Sequence, residues 1–246
     1  RIFIRYKVMN EKKSLVLLPG LLLDQALWTH QVETLTDLAD ISVADLTLDD
    51  SIEAMAARVL NDAPDRFSLA GLSMGGYVAQ EIMRQAPERV ERLALIDTSA
   101  DADTDDQKQR RIGFIDQVNH GAFKGVTSRL LPLFIHEDRL GDEVLTTRIM
   151  AMAEHVGKEA FVRQQNAILN RKSGLDDLAR VTCPVLVMCG RQDTLTTLDQ
   201  HRAMAAAIPG AALVIVEDCG HLAPLERPRA TSAAMRYWLQ TQGNKN

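Results

Sequence analysis

A chain of 246 residues with 46% apolar and 25% charged side chains has the composition of an ordinary globular protein and enough length for one large core. Its net charge of −5, without any lysine- or arginine-rich block, offers no basic face to nucleic acid or anionic lipid, which excludes both as expected partners. No apolar run reaches the roughly 20 residues of a membrane span, and the start lacks the features of a secretory leader, so the cytoplasm is the expected location. Cys183, Cys189 and Cys219 are odd in number and lack metal-ligand spacing; reduced thiols and no metal site are expected.

Arg1 to Lys7 precede Met9, a natural start, so the first eight residues are either sequence added ahead of the chain or one strand. Ser14 to Leu18 is a continuous apolar run ending at Pro19-Gly20, which suits a strand buried on both faces of a parallel sheet. A helix is expected from about Trp28 to Leu38, a strand over Ile41 to Leu46 and a helix over Ile52 to Leu60. Arg66 to Ala70 is the next strand; after it Tyr77, Val78, Ile82 and Met83 recur at helical spacing until Pro87, and Val90 to Ile96 is a further strand. Repeated strand–helix alternation implies a mostly parallel sheet flanked by helices, an α/β fold.

Beyond the acidic run Asp101 to Asp106 the alternation stops. Ile112, Ile115 and Val118, then Val126, Leu130 and Leu131, recur at helical spacing, which predicts an inserted helical cap over residues 101–181. The pattern resumes with a strand over Pro184 to Met188, a helix from about Leu198 to Ile208, a strand over Ala212 to Val216 and a helix around Thr231 to Leu239. Residues 1–100 and 182–246 therefore form the core. No internal repeat or low-complexity segment occurs.

Between the third strand and its helix lies Gly71-Leu72-Ser73-Met74-Gly75, a G-x-S-x-G pattern in the context of a nucleophile elbow. A serine thrown out of a sharp strand-to-helix turn is backbone-strained, and its neighbours two positions away must be small. The competing reading is a helix N-terminus capped by Ser73, with glycines for packing. A serine hydroxyl is a poor nucleophile at neutral pH and needs a base, itself oriented by a third group. In an open parallel sheet such groups gather at the carboxyl ends of strands. His221 follows the last strand, in Asp218-Cys219-Gly220-His221, and Asp193 follows the fifth, in Gly190-Arg191-Gln192-Asp193; Asp97, at the end of the fourth, is a rival acid.

The segments G-L-S-M-G-G, G-R-Q-D and G-H-L-A-P-L-E-R-P together resemble the three signature segments of the α/β-hydrolase fold family, and the likeness extends from Leu15 to Leu239. The resemblance implies Ser73 as nucleophile, His221 as general base and later acid, and Asp193 as the group that holds the imidazole, in the serine, aspartate, histidine order of that family. It implies an oxyanion hole from the backbone N–H groups of Met74 and Leu21, although Pro19 stands where many relatives carry a histidine that braces the loop. Some relatives place the acid where Asp97 lies; here Asp97 is expected to bond backbone near the cap hinge. Glu226 matches a position that braces the histidine loop. The two-strand hairpin with which relatives begin has too little chain before Leu15.

Trp28, Tyr77 and Leu131 are the candidate substrate contacts, with packing as the competing role of Trp28 and Tyr77. Gln31 is expected to pack or cap the oxyanion loop, His30 to lie at the surface, and Met150 and Met152 to pack. Leu130, Leu131, Leu133, Phe134 and Ile135 give the cap an aliphatic character, whereas any of Arg110, Arg111, Arg129 and Arg163 turned inward would select a carboxylated substrate, as in similar lactonases and carbon–carbon bond hydrolases. The expected activity is hydrolysis of a small to medium carboxylic ester through an acyl-enzyme, without metal or organic cofactor, on a small-molecule substrate. Lactone or carbon–carbon bond cleavage is the nearest alternative, and a small-molecule receptor with a retained triad is a second class. Oligomeric state leaves no signal in the sequence.

Overall fold

Side chains alternate across a strand, so a run apolar at every position must have cover on both faces. The computed structural model, which describes residues 12–121 and 123–241, places six strands in one parallel sheet, two of which, Phe67–Leu72 and Val185–Gly190, are buried at every position. In chain order the elements before the insertion are β1 (Lys13–Leu18), α1 (Thr29–Leu35), β2 (Ala39–Val43), α2 (Ile52–Asp62), β3 (Phe67–Leu72), α3 (Met74–Gln85) and β4 (Val90–Ile96). Then come α4 (Asp105–Asn119), α5 (Glu143–Leu169) and α6 (Leu175–Leu178), followed by β5 (Val185–Gly190), α7 (Leu198–Ala207), β6 (Ala212–Val216), α8 (Ala223–Glu226) and α9 (Pro228–Gln240). The strand order is β2-β1-β3-β4-β5-β6, every pair parallel. The expectations for the first eight residues and for the hairpin lie outside the described residues.

The alternation builds two cores. Leu15 and Leu17 of β1 pack with Leu35 of α1 and Trp238 of α9 on one face, whereas Val16 and Leu18 pack with Met55 of α2, Val78 of α3 and Met204 of α7 on the other. Register levels the carboxyl ends: Leu18 pairs with Gly71, Leu72 with Ile96, and Ile96 with Met188. Whatever follows β3, β4 and β5 therefore emerges at one edge of the sheet.

Several boundaries differ from the sequence reading. The first helix is shorter, because residues 36–38 form a turn into β2 in which Leu38 N–H donates to Leu35 O at 2.9 Å; a 3-10 turn, Gln25–Trp28, precedes it, with Ala26 N–H donating to Asp24 Oδ1 at 2.8 Å. The second strand ends at Val43, and Leu46 reaches the core from a loop. Val126 to Leu131 is not an α-helix; it is irregular chain leading into a 3-10 turn at Leu131–Leu133. Ile112 and Phe114 of α4 are exposed, and this helix starts at a capping box in which Gln107 N–H donates to Thr104 Oγ1 and Thr104 N–H to Gln107 Oε1. The long helix α5 is broken at Gly157, whose φ of 78° no side chain would favour; the break shifts the helical phase, so no single stripe runs its length. Among the described residues no helix is long and apolar enough to cross a membrane.

The elbow is tight in backbone atoms. A Cβ on Gly71 would lie 2.3 Å from the Gly75 carbonyl oxygen, and one on Gly75 would lie 2.3 Å from that of Leu18. Neither obstacle is a side chain that can swing away, so Gly71→Ala and Gly75→Ala should each lower the unfolding free energy by about 1–3 kcal/mol, read from urea denaturation. A loss below about 0.5 kcal/mol, the size of an ordinary surface change, would contradict this packing.

Candidate active site

Ser73 sits between β3 and α3 at φ 53° and ψ −116°, a conformation that side-chain-bearing residues avoid. Its backbone is held from several directions. Ser73 N–H donates to Ile96 O at 3.1 Å, and Ser73 O accepts from Gly76 N–H at 2.8 Å and Thr98 Oγ1 at 2.7 Å. Thr98 N–H in turn donates to Nε2 of buried His201 at 3.0 Å, and His201 Nδ1 donates to Thr197 O at 2.9 Å. Burial holds His201 below the ordinary imidazole range, consistent with the neutral ring those two bonds require.

The Ser73 Oγ lies 2.9 Å from Nε2 of His221, and His221 Nδ1 lies 2.8 Å from Oδ2 of Asp193. A carboxylate only accepts, so Nδ1 carries the proton and Nε2 presents its lone pair to the serine. Asp193, in the loop after β5, is buried and fully engaged. Its Oδ1 accepts from the N–H groups of Leu195 at 2.9 Å and Thr196 at 3.0 Å, and Oδ2 accepts from Thr196 Oγ1 at 2.6 Å. Burial would raise the Asp193 carboxyl, but the His221 charge and the bonds from His221 and Thr196 hold it below the ordinary range. Burial likewise works against the His221 imidazolium, yet the charge and hydrogen bond of Asp193 outweigh it and raise the ring above 6.5.

The loop carrying His221 is tied by Glu226, whose Oε1 accepts from the N–H groups of Gly220 at 3.0 Å and Leu222 at 3.2 Å, and whose Oε2 accepts from His136 N–H at 2.7 Å. Asp97 does not touch the imidazole. It accepts from Gly190 N–H and Ala223 N–H, both at 2.9 Å, so it joins the end of β5 to α8 rather than bracing a hinge before α4. Burial and the nearby Asp193 charge push its carboxyl well up.

The N–H groups of Leu21 and Met74 have no protein acceptor among the described residues, and Met74 opens α3, where the helix dipole favours negative charge. Leu21, Ser73 and His221 line a cavity of about 380 Å³, whose opposite wall comes from the chain between β4 and β5, including Val126, Leu130, Phe134 and Phe161. Tyr77 lines it as well, with the Arg171 guanidinium 4.3 Å from the centre of its ring. Trp28 and Leu131 do not line it. Both are buried in the core: Trp28 ends the turn before α1, and Leu131 opens a 3-10 turn that aims Leu130 and Leu133, not Leu131, at the cavity. Arg110 and Arg111 reach the cavity, as does Lys124, which the sequence reading passed over; Arg129 and Arg163 do not. Gln31 and His30 bond α9 instead, through Ser232 Oγ at 3.3 and 2.8 Å.

Thr98, Thr196 and His201 were not singled out from the sequence. Thr196, three residues after an acid in a turn, carries a weak signal; Thr98 and His201 carry none, since only the fold brings them to the elbow. Among the described residues no three His, Cys, Asp or Glu side chains converge as a metal site.

Comparison with known proteins agrees with this architecture. The chain is 27% identical over 230 residues to the pimeloyl-[acyl-carrier protein] methyl ester esterase of Nitrosomonas europaea, covering 87% of this chain and 91% of that one. A thermophilic esterase from Thermogutta terrifontis superposes with a TM-score of 0.83 at 27% identity, covering 93% of this chain and 91% of that chain. The enol-lactonase of Burkholderia xenovorans superposes with a TM-score of 0.85 at 24% identity, covering 96% and 94%, which speaks for the fold. Residues 15–234, from the first core strand to the last helix, match the alpha/beta hydrolase family, and the chain is an enzyme of that family, a hydrolase.

Proposed function

We propose that the protein hydrolyses a small to medium carboxylic ester through a covalent acyl-enzyme, with Ser73 as nucleophile, His221 as proton carrier and Asp193 as its orienting partner. The observation that carries the reading is the unbroken relay from Ser73 Oγ to His221 Nε2 at 2.9 Å and from His221 Nδ1 to Asp193 at 2.8 Å, on the wall of a cavity large enough for a substrate. Two similar proteins bear the name esterase, which supports the ester bond as target.

In this reading Ser73 Oγ attacks the ester carbonyl while His221 Nε2 takes its proton, and the oxyanion is met by the N–H groups of Leu21 and Met74. The imidazolium then protonates the leaving alcohol. Water repeats the sequence on the acyl-enzyme and releases the acid. Asp193 stabilises the imidazolium without itself taking the proton. Residues 101–181 act as the cap that shapes what enters.

The cavity narrows the substrate. Its wall is largely apolar, its lining includes Arg110, Arg111 and Lys124, and among the described residues no carboxylate lines it. Arg111 is committed to Asp103 at 2.5 Å and to Gln165 at 2.8 Å, whereas Arg110 and Lys124 have no ion-pair partner among the described residues. An apolar acyl chain with an anionic group remote from the ester suits that lining. A lactone presents the same reacting carbonyl, and a panel of esters, lactones and diketones ranks the alternatives.

Ser73→Ala should abolish fluorophosphonate labelling and lower ester turnover by about 10⁴–10⁶-fold with folding intact; a substantial residual rate would remove Ser73 from the nucleophile role. Only neutral His221 can act as base, so kcat/KM should fall about tenfold per pH unit below a midpoint above 6.5. Asp193→Asn takes away the largest cause raising that midpoint, so it should shift the limb to lower pH and reduce kcat by about 10⁴-fold, more than Asp97→Asn; the reverse ranking would transfer the role to Asp97. Exposed ion pairs are modest, so Arg110→Ala with Lys124→Ala should raise KM for the monomethyl ester of a dicarboxylic acid by about three- to tenfold and leave that of a neutral methyl ester alone. Equal effects on both esters would refute the anionic group.

A further inference from the structure

We infer that Gln164, a buried side chain of α5, is a positioning residue for the oxyanion loop, and that it supplies the bracing which Pro19 cannot. This rests on the acyl-transfer reading above. The loop after β1 runs Pro19-Gly20-Leu21-Leu22-Leu23, and Leu22 sits at φ 59°, a left-handed conformation that a leucine adopts only when its surroundings impose it. Leu22 N–H donates to Gln164 Oε1 at 3.1 Å, while Gln164 Nε2 donates to Leu46 O at 3.1 Å. One partner can only donate and the other only accept, so the amide has a single satisfying orientation. Gln164 is fully buried, where breaking either bond leaves an unpaired polar group. Leu23 N–H, next along, closes a turn on Gly20 O at 3.2 Å. The N–H of Leu21, between those two anchors, is thereby left facing no protein acceptor, on a loop with little freedom to move.

The neighbours of Gln164 strengthen the link. Arg163 Nε donates to Thr47 O at 2.8 Å, and Gln165 Oε1, on the cavity wall, accepts from Arg111 Nη1 at 2.8 Å. Three successive residues of α5 thus grip the loop after β2, the loop after β1 and the cavity wall. A shift of this helix would reach the Leu21 N–H before it reached the relay at His221.

The test compares Gln164→Met, which keeps the volume and loses both bonds, with Gln164→Glu, which keeps an acceptor for Leu22 N–H but places a carboxylate in the interior. Each is assayed for ester turnover, for inhibition by a trifluoromethyl ketone whose Ser73 adduct carries the oxyanion, and for thermal unfolding. Losing an oxyanion donor outright typically reduces turnover by about 10²–10³-fold, and a displaced one should do less. Gln164→Met should therefore lower kcat by about 10- to 100-fold, leave KM within about twofold and weaken the ketone by the same factor as kcat/KM. Gln164→Glu should be the less stable variant, because its charge is buried, and yet the more active one. That crossed ranking is what a merely structural role would not produce. If activity follows stability in the two variants, or if Gln164→Met keeps kcat within about threefold of the parent, the inference fails while the ester reading stands. If the unaltered protein turns over no ester and Ser73 is not labelled, the ester reading fails first. Should Gln164→Met not fold, Gln164→Asn, whose shorter side chain cannot span both groups, carries the same expectations.

Discussion

Where the strands end, the backbone N–H groups of the loops lose their ladder partners, and in a buried site each must find another acceptor. Three carboxylates meet that demand at the carboxyl edge of this sheet. Asp97 takes the N–H groups of Gly190 and Ala223; Glu226 takes those of Gly220, Leu222 and His136; Asp193 takes those of Leu195 and Thr196. The histidine loop is thus tied at both flanks of His221, and the acid loop is tied at its root and its tip. Their electrostatic effect follows from the same placement. Of the three carboxylates Asp193 alone bonds the imidazole, and its charge is the chief influence lifting His221 against burial. Asp97 bears the opposite consequence, its carboxyl driven well up by burial and by Asp193.

Backbone strain is concentrated at the same edge. Among the described residues the positive-φ positions other than glycine are Leu22, Ser73, Asp97 and Asp218, which follow β1, β3, β4 and β6. Such conformations persist only where the surroundings over-determine them. For Ser73 the constraint is Ile96, Gly76 and Thr98; for Asp97 it is its own two acceptor bonds together with Asp97 N–H on Met188 O at 2.9 Å; for Leu22 it is Gln164. The level register of the strands makes this possible, since it delivers four strained turns to one surface instead of scattering them.

What could be read from the sequence was whatever a local rule enforces. An apolar run without polar breaks announces a strand covered on both faces, as β5 is, and β4 has the ends the reading gave it, Val90 and Ile96, although Glu91 and Arg92 interrupt its apolar pattern. The glycines around Ser73 are legible because the turn leaves backbone atoms 2.3 Å from any Cβ there. Asp193 and His221 could be proposed as partners because a parallel sheet gathers loops at one end, and they do lie within hydrogen-bonding distance. Side chains whose position depends on long-range packing were not legible. Trp28 and Leu131 had the right chemistry to line a cavity, but a 3-10 turn in each case turned them inward. Gln164 and His201 lie in helices and Thr98 in the loop after β4, with nothing in their neighbours to distinguish them, and each bonds a group more than 100 positions away.

That distance is informative about how the molecule works. A helix lying over a sheet could be joined to it by apolar packing alone, which is non-directional and tolerant of sliding. Here α5 is also pinned by directional bonds from Arg163 and Gln164 to carbonyls at Thr47 and Leu46, and by Gln164 to the N–H of Leu22. Hydrogen bonds of this kind fix register as well as contact, because a displacement of about 1 Å breaks them while leaving the apolar area almost unchanged. The Gly157 break divides α5 so that its second half can keep that register while the first half packs against the irregular chain after α4. The cavity wall that α5 supplies, at Phe161, Gln165 and Ile168, therefore lies in the half that these directional bonds hold to the loop after β1.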